Sequence, residues 1–172
     1  MPRIAALTND QAEPQAREVL VAAKAKIGMV PNTFRTLAHA PNSLAGFVAL
    51  QGAVHQGVLS AVELEEIALA SAQYNSCGYC VSAHTLLGKR AGLGPDQLAA
   101  ARTGDGSPYA RLAHRILETR GQVTDQDLQA AREAGLDDRR IIETVVSVAE
   151  SVLTNFVNNV ADVEIDFPKV AL

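Results

Sequence analysis

A chain of 172 residues and 18.2 kDa, 48% hydrophobic and 20% charged, is long enough to bury one core without covalent staples. Its formal net charge of -4 and lack of a basic stripe exclude nucleic acid as a main partner. No apolar run approaches the roughly 20 residues that span a bilayer.

Helix punctuation recurs along the chain. Thr8 and Gln11 have the spacing of a capping box, which predicts an amphipathic helix (Ala16, Val19, Leu20, Ala23, Ile27) stopped by Gly28. Pro31 starts a short helical turn through Phe34 and Leu37, and Pro41 opens a helix over Asn42 to Gln56 that Gly57 ends. Ser60 and Glu63 form a second capping box, leading into an alanine-rich helix to about Asn75. A further helix over Tyr79 to Ala91 ends at Gly92, and a short one lies around Gln97 to Ala101. Ser107 and Pro108 start a helix to about Arg120, and Thr124 caps another that Gly135 closes.

The last long segment, Asp137 to about Val160, is rich in valine, but its apolar residues repeat at three, four and seven. That period predicts a broadly buried helix rather than a strand. The tail from Val163 to Pro168 reads as extended. No stretch alternates as a strand does, so the expectation is an all-α fold in one domain, 1–172. Aromatic residues are only 4%, with no tryptophan, so Ala, Val, Leu and Ile must fill the core, which suits closely packed helices. The opening residues, Met1 to Asp10, lack the continuous apolar segment of a secretory signal, and a cytoplasmic location is expected.

The only two cysteines, Cys77 and Cys80, lie three apart, with His84 one helical turn further on. Two cysteines in a reducing compartment point to redox or metal chemistry rather than a structural staple. Both sulfurs fall at a helix N-terminus, where unpaired backbone N–H groups and the macrodipole favour a thiolate. His84 shares their face and can take or return a proton. Glu65 and Glu66 precede them on the alanine-rich helix. Glu65 lies twelve residues before Cys77, about 18 Å along a helix axis, so spacing alone does not bring it to the thiols.

Three other readings stand beside redox chemistry. The cysteines could be incidental core thiols, because reduced cysteine is often buried. A zinc site would need more than Cys77, Cys80, His84 and a carboxylate to match a familiar pattern. A thioredoxin fold lacks its βαβ context. His39, His55 and His114 read as satisfied or solvent-facing, with His55 near a helix C-terminus that favours its charged form. Asn155, Asn158 and Asn159 on the last helix predict a polar seam, either against a partner subunit or within the chain.

The stretch from Leu64 to Thr85 combines Glu65, an alanine-rich helix, Asn75-x-Cys77-x-x-Cys80 and Ala83-His84-Thr85. It resembles the carboxymuconolactone decarboxylase/alkylhydroperoxidase AhpD-like superfamily, more narrowly the peroxidase-related branch with the AhpD core. The segments Gly28 to His39 and Thr154 to Pro168 also resemble that branch. The resemblance implies an AhpD-like helical domain with its core motif at residues 60–92, and homo-oligomers, trimers or hexamers. It further implies thiol-dependent peroxidase activity that needs no cofactor and no metal.

Carried over by position, Cys80 is the peroxidatic thiol, Cys77 the resolving thiol, His84 the proton relay and Glu65 its assistant. The implied substrate is an organic hydroperoxide or hydrogen peroxide, with a thiol or lipoyl-type reductant. AhpD itself has a histidine before its second cysteine, where this chain has Tyr79, a hydrogen-bond donor but a poor base near neutral pH. Tyr79 and Tyr74 are candidates to line or relay within the pocket. A dithiol–disulfide carrier for a partner protein and a lactone decarboxylase are the alternative activities.

Overall fold

The computed structural model describes residues 1–172 as nine α-helices without a strand. They are Pro14–Ile27 (α1), Asn32–Leu37 (α2), Pro41–Val54 (α3), Ala61–Tyr74 (α4), Gly78–Ala91 (α5), Pro95–Thr103 (α6), Pro108–Thr119 (α7), Asp125–Glu133 (α8) and Asp138–Ala161 (α9). The all-α expectation holds, and most boundaries fall within a few residues of the punctuation in the sequence. Ser60 accepts from the Glu63 N–H while Glu63 accepts from the Ser60 N–H, closing the capping box that starts α4. Gly92 ends α5 at φ 109°, a left-handed conformation that L side chains rarely adopt.

Helix α4 is the centre of the fold and packs against α5, α6, α7 and α9. It is buried on every side through Leu64, Ile67, Leu69, Ala70 and Ala72. Its alanines allow neighbouring backbones to approach closely. The largest core cluster joins α4 to Leu98, Tyr109, Leu112, Ile116, Ile141 and Val148. A second cluster builds α1 to α3 around Phe34, whose ring meets Phe47 edge-on at 5.6 Å. A third contains both cysteines and is covered by the C-terminal tail.

Two expectations are corrected. Helix α1 begins at Pro14, not at the Thr8 box. Thr8 and Gln11 do close a turn, with the Thr8 N–H donating to the Gln11 side chain at 2.9 Å. Pro14 then holds Glu13 extended, at φ -58° and ψ 154°, so a helix cannot run through it. Helix α9 is not broadly buried. Its inner face carries Thr144, Ser147, Ser151, Asn155 and Asn158, whereas Ile142, Val145, Val146, Leu153, Phe156 and Val160 are exposed. Beside the buried Ile141 and Val148, these small and polar residues let α9 lie close to α3, α4 and α5.

Because the Ser60 box sets the first turn of the helix that carries Glu65, Ser60→Ala is expected to destabilise the protein by about 1 kcal/mol in urea unfolding.

Candidate active site

The site is built on the connection from α4 to α5. Asn75 ends α4, Ser76 turns the chain through φ 51°, and Cys77 caps α5 by accepting the Cys80 N–H on its sulfur at 3.2 Å. Helix α9 holds this turn from the side. The Asn75 amide donates to Asn155 Oδ1 at 2.9 Å, and Asn159 Nδ2 donates to the Asn75 carbonyl at 2.8 Å. The asparagine seam is therefore made within the chain, where the sequence left a subunit contact equally open.

Cys77 and Cys80 are joined as a disulfide, with their Cα atoms 5.3 Å apart. Both are buried, at 0% and 2% exposure. Val163, Ile165, Phe167 and Val170 of the tail pack over them. The tail is tied down where the Val170 N–H donates to Ser82 Oγ at 3.1 Å and Arg102 donates to the Ala171 carbonyl at 2.7 Å. Asn158 Nδ2 reaches the Cys80 sulfur at 3.2 Å.

Helices α4 and α5 form an antiparallel pair, which places Glu65 opposite His84. His84 Nδ1 lies 2.8 Å from Glu65 Oε2, and both side chains are half-buried. Glu65 thus comes to His84 and not to the sulfurs, which removes the distance problem posed by sequence spacing. Burial disfavours the charged imidazole, but the adjacent Glu65 carboxylate, its hydrogen bond and the Glu150 charge together raise the His84 pKa above its ordinary value. With Nδ1 held by Glu65, Nε2 is the ring nitrogen left for proton exchange.

Glu150 of α9 belongs to the same group, and the sequence reading missed it. Burial raises its pKa, against the opposing influence of His55 and His84. The available signal was a carboxylate set among the apolar positions Val148, Val152 and Leu153. Asn158 and Asp166 were also missed as site neighbours, since each reaches the motif only through tertiary packing.

The remaining expected residues are placed as follows. Tyr79 is buried, with its hydroxyl donating to Asp166 Oδ1 at 2.7 Å and its ring edge-on to Phe167 at 5.5 Å. Burial pushes its phenol well above the ordinary range, so it serves as a donor rather than a base near neutral pH. Tyr74 is exposed and packs edge-on against His114 at 5.4 Å. Glu66 points away from Glu65, toward Ser107, and burial raises its pKa. His39 is satisfied by the Ala5 carbonyl at 2.8 Å. No three His, Cys, Asp and Glu side chains are grouped as a metal site requires.

Residues 41–114, from α3 through the dithiol to mid-α7, match the carboxymuconolactone decarboxylase family. By this match the helical core is similar to the carboxymuconolactone decarboxylase, or AhpD-like, family. The whole chain is similar in structure to the alkylhydroperoxidase AhpD-core, peroxidase-related protein from Ralstonia eutropha JMP134. The TM-score is 0.82 at 25% identity, covering 96% of this chain and 92% of that one. A peroxidase-related protein from Silicibacter sp. TM1040 follows at TM-score 0.77 and 21% identity, covering 94% and 91%. The debrominase Bmp8, in complex with 2,3,4-tribromopyrrole, has the same fold at TM-score 0.77 and 17% identity, covering 95% and 91%. A search of curated proteins returned no match. The AhpD-like fold is thus shared along nearly the full length.

The Glu65–His84 contact favours the charged imidazole. Its contribution to stability is complete below the ordinary histidine midpoint of about 6.5 and fades as pH rises through the raised midpoint of the folded protein. Glu65→Gln is expected to lower the His84 midpoint in an NMR titration. The stability gap to wild type, read by urea unfolding, is expected to shrink with rising pH over the same window.

Proposed function

We propose that this protein is a thiol-dependent peroxidase that reduces organic hydroperoxides or hydrogen peroxide by cycling Cys77 and Cys80. The observation that carries the reading is the disulfide at the N-terminus of α5 with His84 one turn along the same helix, paired with Glu65 of α4. The family and the peroxidase-related relatives support it.

In this reading the Cys80 thiolate attacks a peroxide oxygen, the O–O bond breaks, and the alkoxide leaves as an alcohol with a proton relayed by His84. Cys80 is then a sulfenic acid. Cys77 attacks that sulfur, the S–S bond forms, and hydroxide leaves as water with a second proton. One hydroperoxide and two thiols thus become one alcohol, one water and one disulfide. An external dithiol, a small thiol or lipoyl-type reductant, returns two electrons and reopens the pair. Glu65 keeps Nδ1 of His84 occupied and its proton available, which leaves Nε2 to face the chemistry. The burial of both sulfurs under the tail disfavours direct exchange with a large protein partner, the requirement of a dithiol carrier. A cytoplasmic setting fits a cycle that needs a reducing pool.

The same proposal includes a homo-oligomer. The exposed stripe of α9 runs from Ile142 at 62% exposure through Phe156 at 55% to Val160 at 64%, while most of the buried face holds small and polar residues. A contiguous apolar stripe of this length is the kind of surface that a second copy covers.

Cys80→Ser is expected to abolish consumption of cumene hydroperoxide. Substoichiometric peroxide is expected to convert the reduced wild-type pair into the Cys77–Cys80 disulfide, read by mass spectrometry of the motif peptide; wild type that leaves peroxide unconsumed would sink the reading. Phe156→Glu is expected to reduce the assembly mass in light scattering while the circular dichroism spectrum stays helical.

A further inference from the structure

Two sequence features remain outside the chemistry described so far, the Pro31-Asn32-Thr33 turn and the asparagines of α9. In the fold they meet at the Cys80 sulfur. Asn158 is 3% exposed and lies against the third core cluster, a costly place for a primary amide unless its hydrogen bonds are made. Its Oδ1 accepts from the Thr33 hydroxyl at 2.7 Å, and this bond turns Nδ2 toward Cys80 Sγ, 3.2 Å away. Thr33 is itself buried at the start of α2.

We infer that Asn158 is a catalytic residue that donates a hydrogen bond to the Cys80 thiolate and stabilises it, with Thr33 as the positioning residue that aims the amide. The inference rests on the thiol-redox reading and adds a residue to it. Each sulfur of the pair has its own donor. Cys77 receives the backbone N–H of Cys80, a group that almost any residue would supply. Cys80 instead receives a side-chain amide from a helix 78 residues further along the chain. A hydrogen bond to a charged acceptor is stronger than one to a neutral sulfur, so the contact gains strength once the disulfide opens and Cys80 carries the charge. The same donor serves the thiolate as nucleophile toward peroxide and as leaving group when a reductant attacks Cys77.

The surroundings lock this geometry. The Thr33 backbone N–H points at the Tyr79 hydroxyl at 3.4 Å, and Tyr79 donates to Asp166 Oδ1 at 2.7 Å. Asp166 Oδ2 accepts the Asn32 N–H at 2.9 Å, and Asn32 Nδ2 donates to the Glu164 carbonyl at 3.0 Å. Tyr79 between the cysteines, the first residues of α2 and the tail thereby form one hydrogen-bonded clasp around the Thr33–Asn158 pair. This gives Tyr79 a role that its phenol can fill, holding the donor's support in place instead of relaying protons.

The test uses the full-length chain with Cys77→Ser, which keeps an oxygen at the α5 cap and leaves Cys80 as the only thiol. Iodoacetamide alkylation as a function of pH reads the Cys80 midpoint, and circular dichroism verifies the fold. Adding Asn158→Leu is expected to raise that midpoint by about one to two pH units. Thr33→Val, which leaves the amide present but unaimed, is expected to raise it by less. If Asn158→Leu fails to fold, Thr33→Val decides alone. An unchanged midpoint in the folded variants overturns the assignment, since a residue that only packs would not move it. The titration involves no peroxide, so a shifted midpoint in a protein that leaves peroxide unconsumed supports Asn158 and counts against the peroxidase reading alone.

Discussion

The site depends on the brevity of the connection between α4 and α5. Only Asn75, Ser76 and Cys77 separate the two helices, so the chain must double back at once and the helices must pair antiparallel. That reversal has two consequences. It brings the sulfurs to the first turn of α5, where the Cys80 N–H points at the Cys77 sulfur. It also sets the register of the pair, so that Glu65, before the turn, meets His84, after it. Lengthening the turn would shift Glu65 away from His84 and the sulfurs away from the helix end together.

Helix α9 supplies the second constraint. Its inner face is lined with serine, threonine and asparagine, which let it approach α4 and α5 closely and give its amides partners on the thiol turn. Asn155 and Asn159 hold the turn, Asn158 reaches the sulfur, and Glu150 adds a negative charge near the imidazole. The cost is that many large apolar residues of α9, Ile142, Leu153 and Phe156 among them, face outward. An isolated chain leaves that stripe in water.

The cysteine pair is enclosed rather than open. Core packing beneath it and the tail above it leave almost no sulfur surface exposed. Low access limits uncontrolled thiol exchange, while the helix end and the Asn158 amide favour the charged sulfur. Burial by itself disfavours a thiolate, so these donors offset a penalty that the enclosure creates.

Local chemistry was legible from the residues. The capping serine before α4, Gly92 after α5, the spacing of Cys77, Cys80 and His84, and the resemblance of the motif all act over one or two turns, and the structure places each where it was expected. Helix α1 misled because proline geometry at Pro14 overrides a cap-like spacing at Thr8. What the sequence by itself determined was a helical chain with two thiols at a helix start and an imidazole one turn on, since backbone periodicity and caps are set by near neighbours. Only the tertiary structure decided that Glu65 meets His84 with Glu150 beside them, that Asn158 meets Cys80, that the tail closes over the sulfurs and that Val145, Val146 and Val160 of α9 face outward. Those outcomes depend on which helix faces pack together, and a helical period reports a face without naming what lies against it.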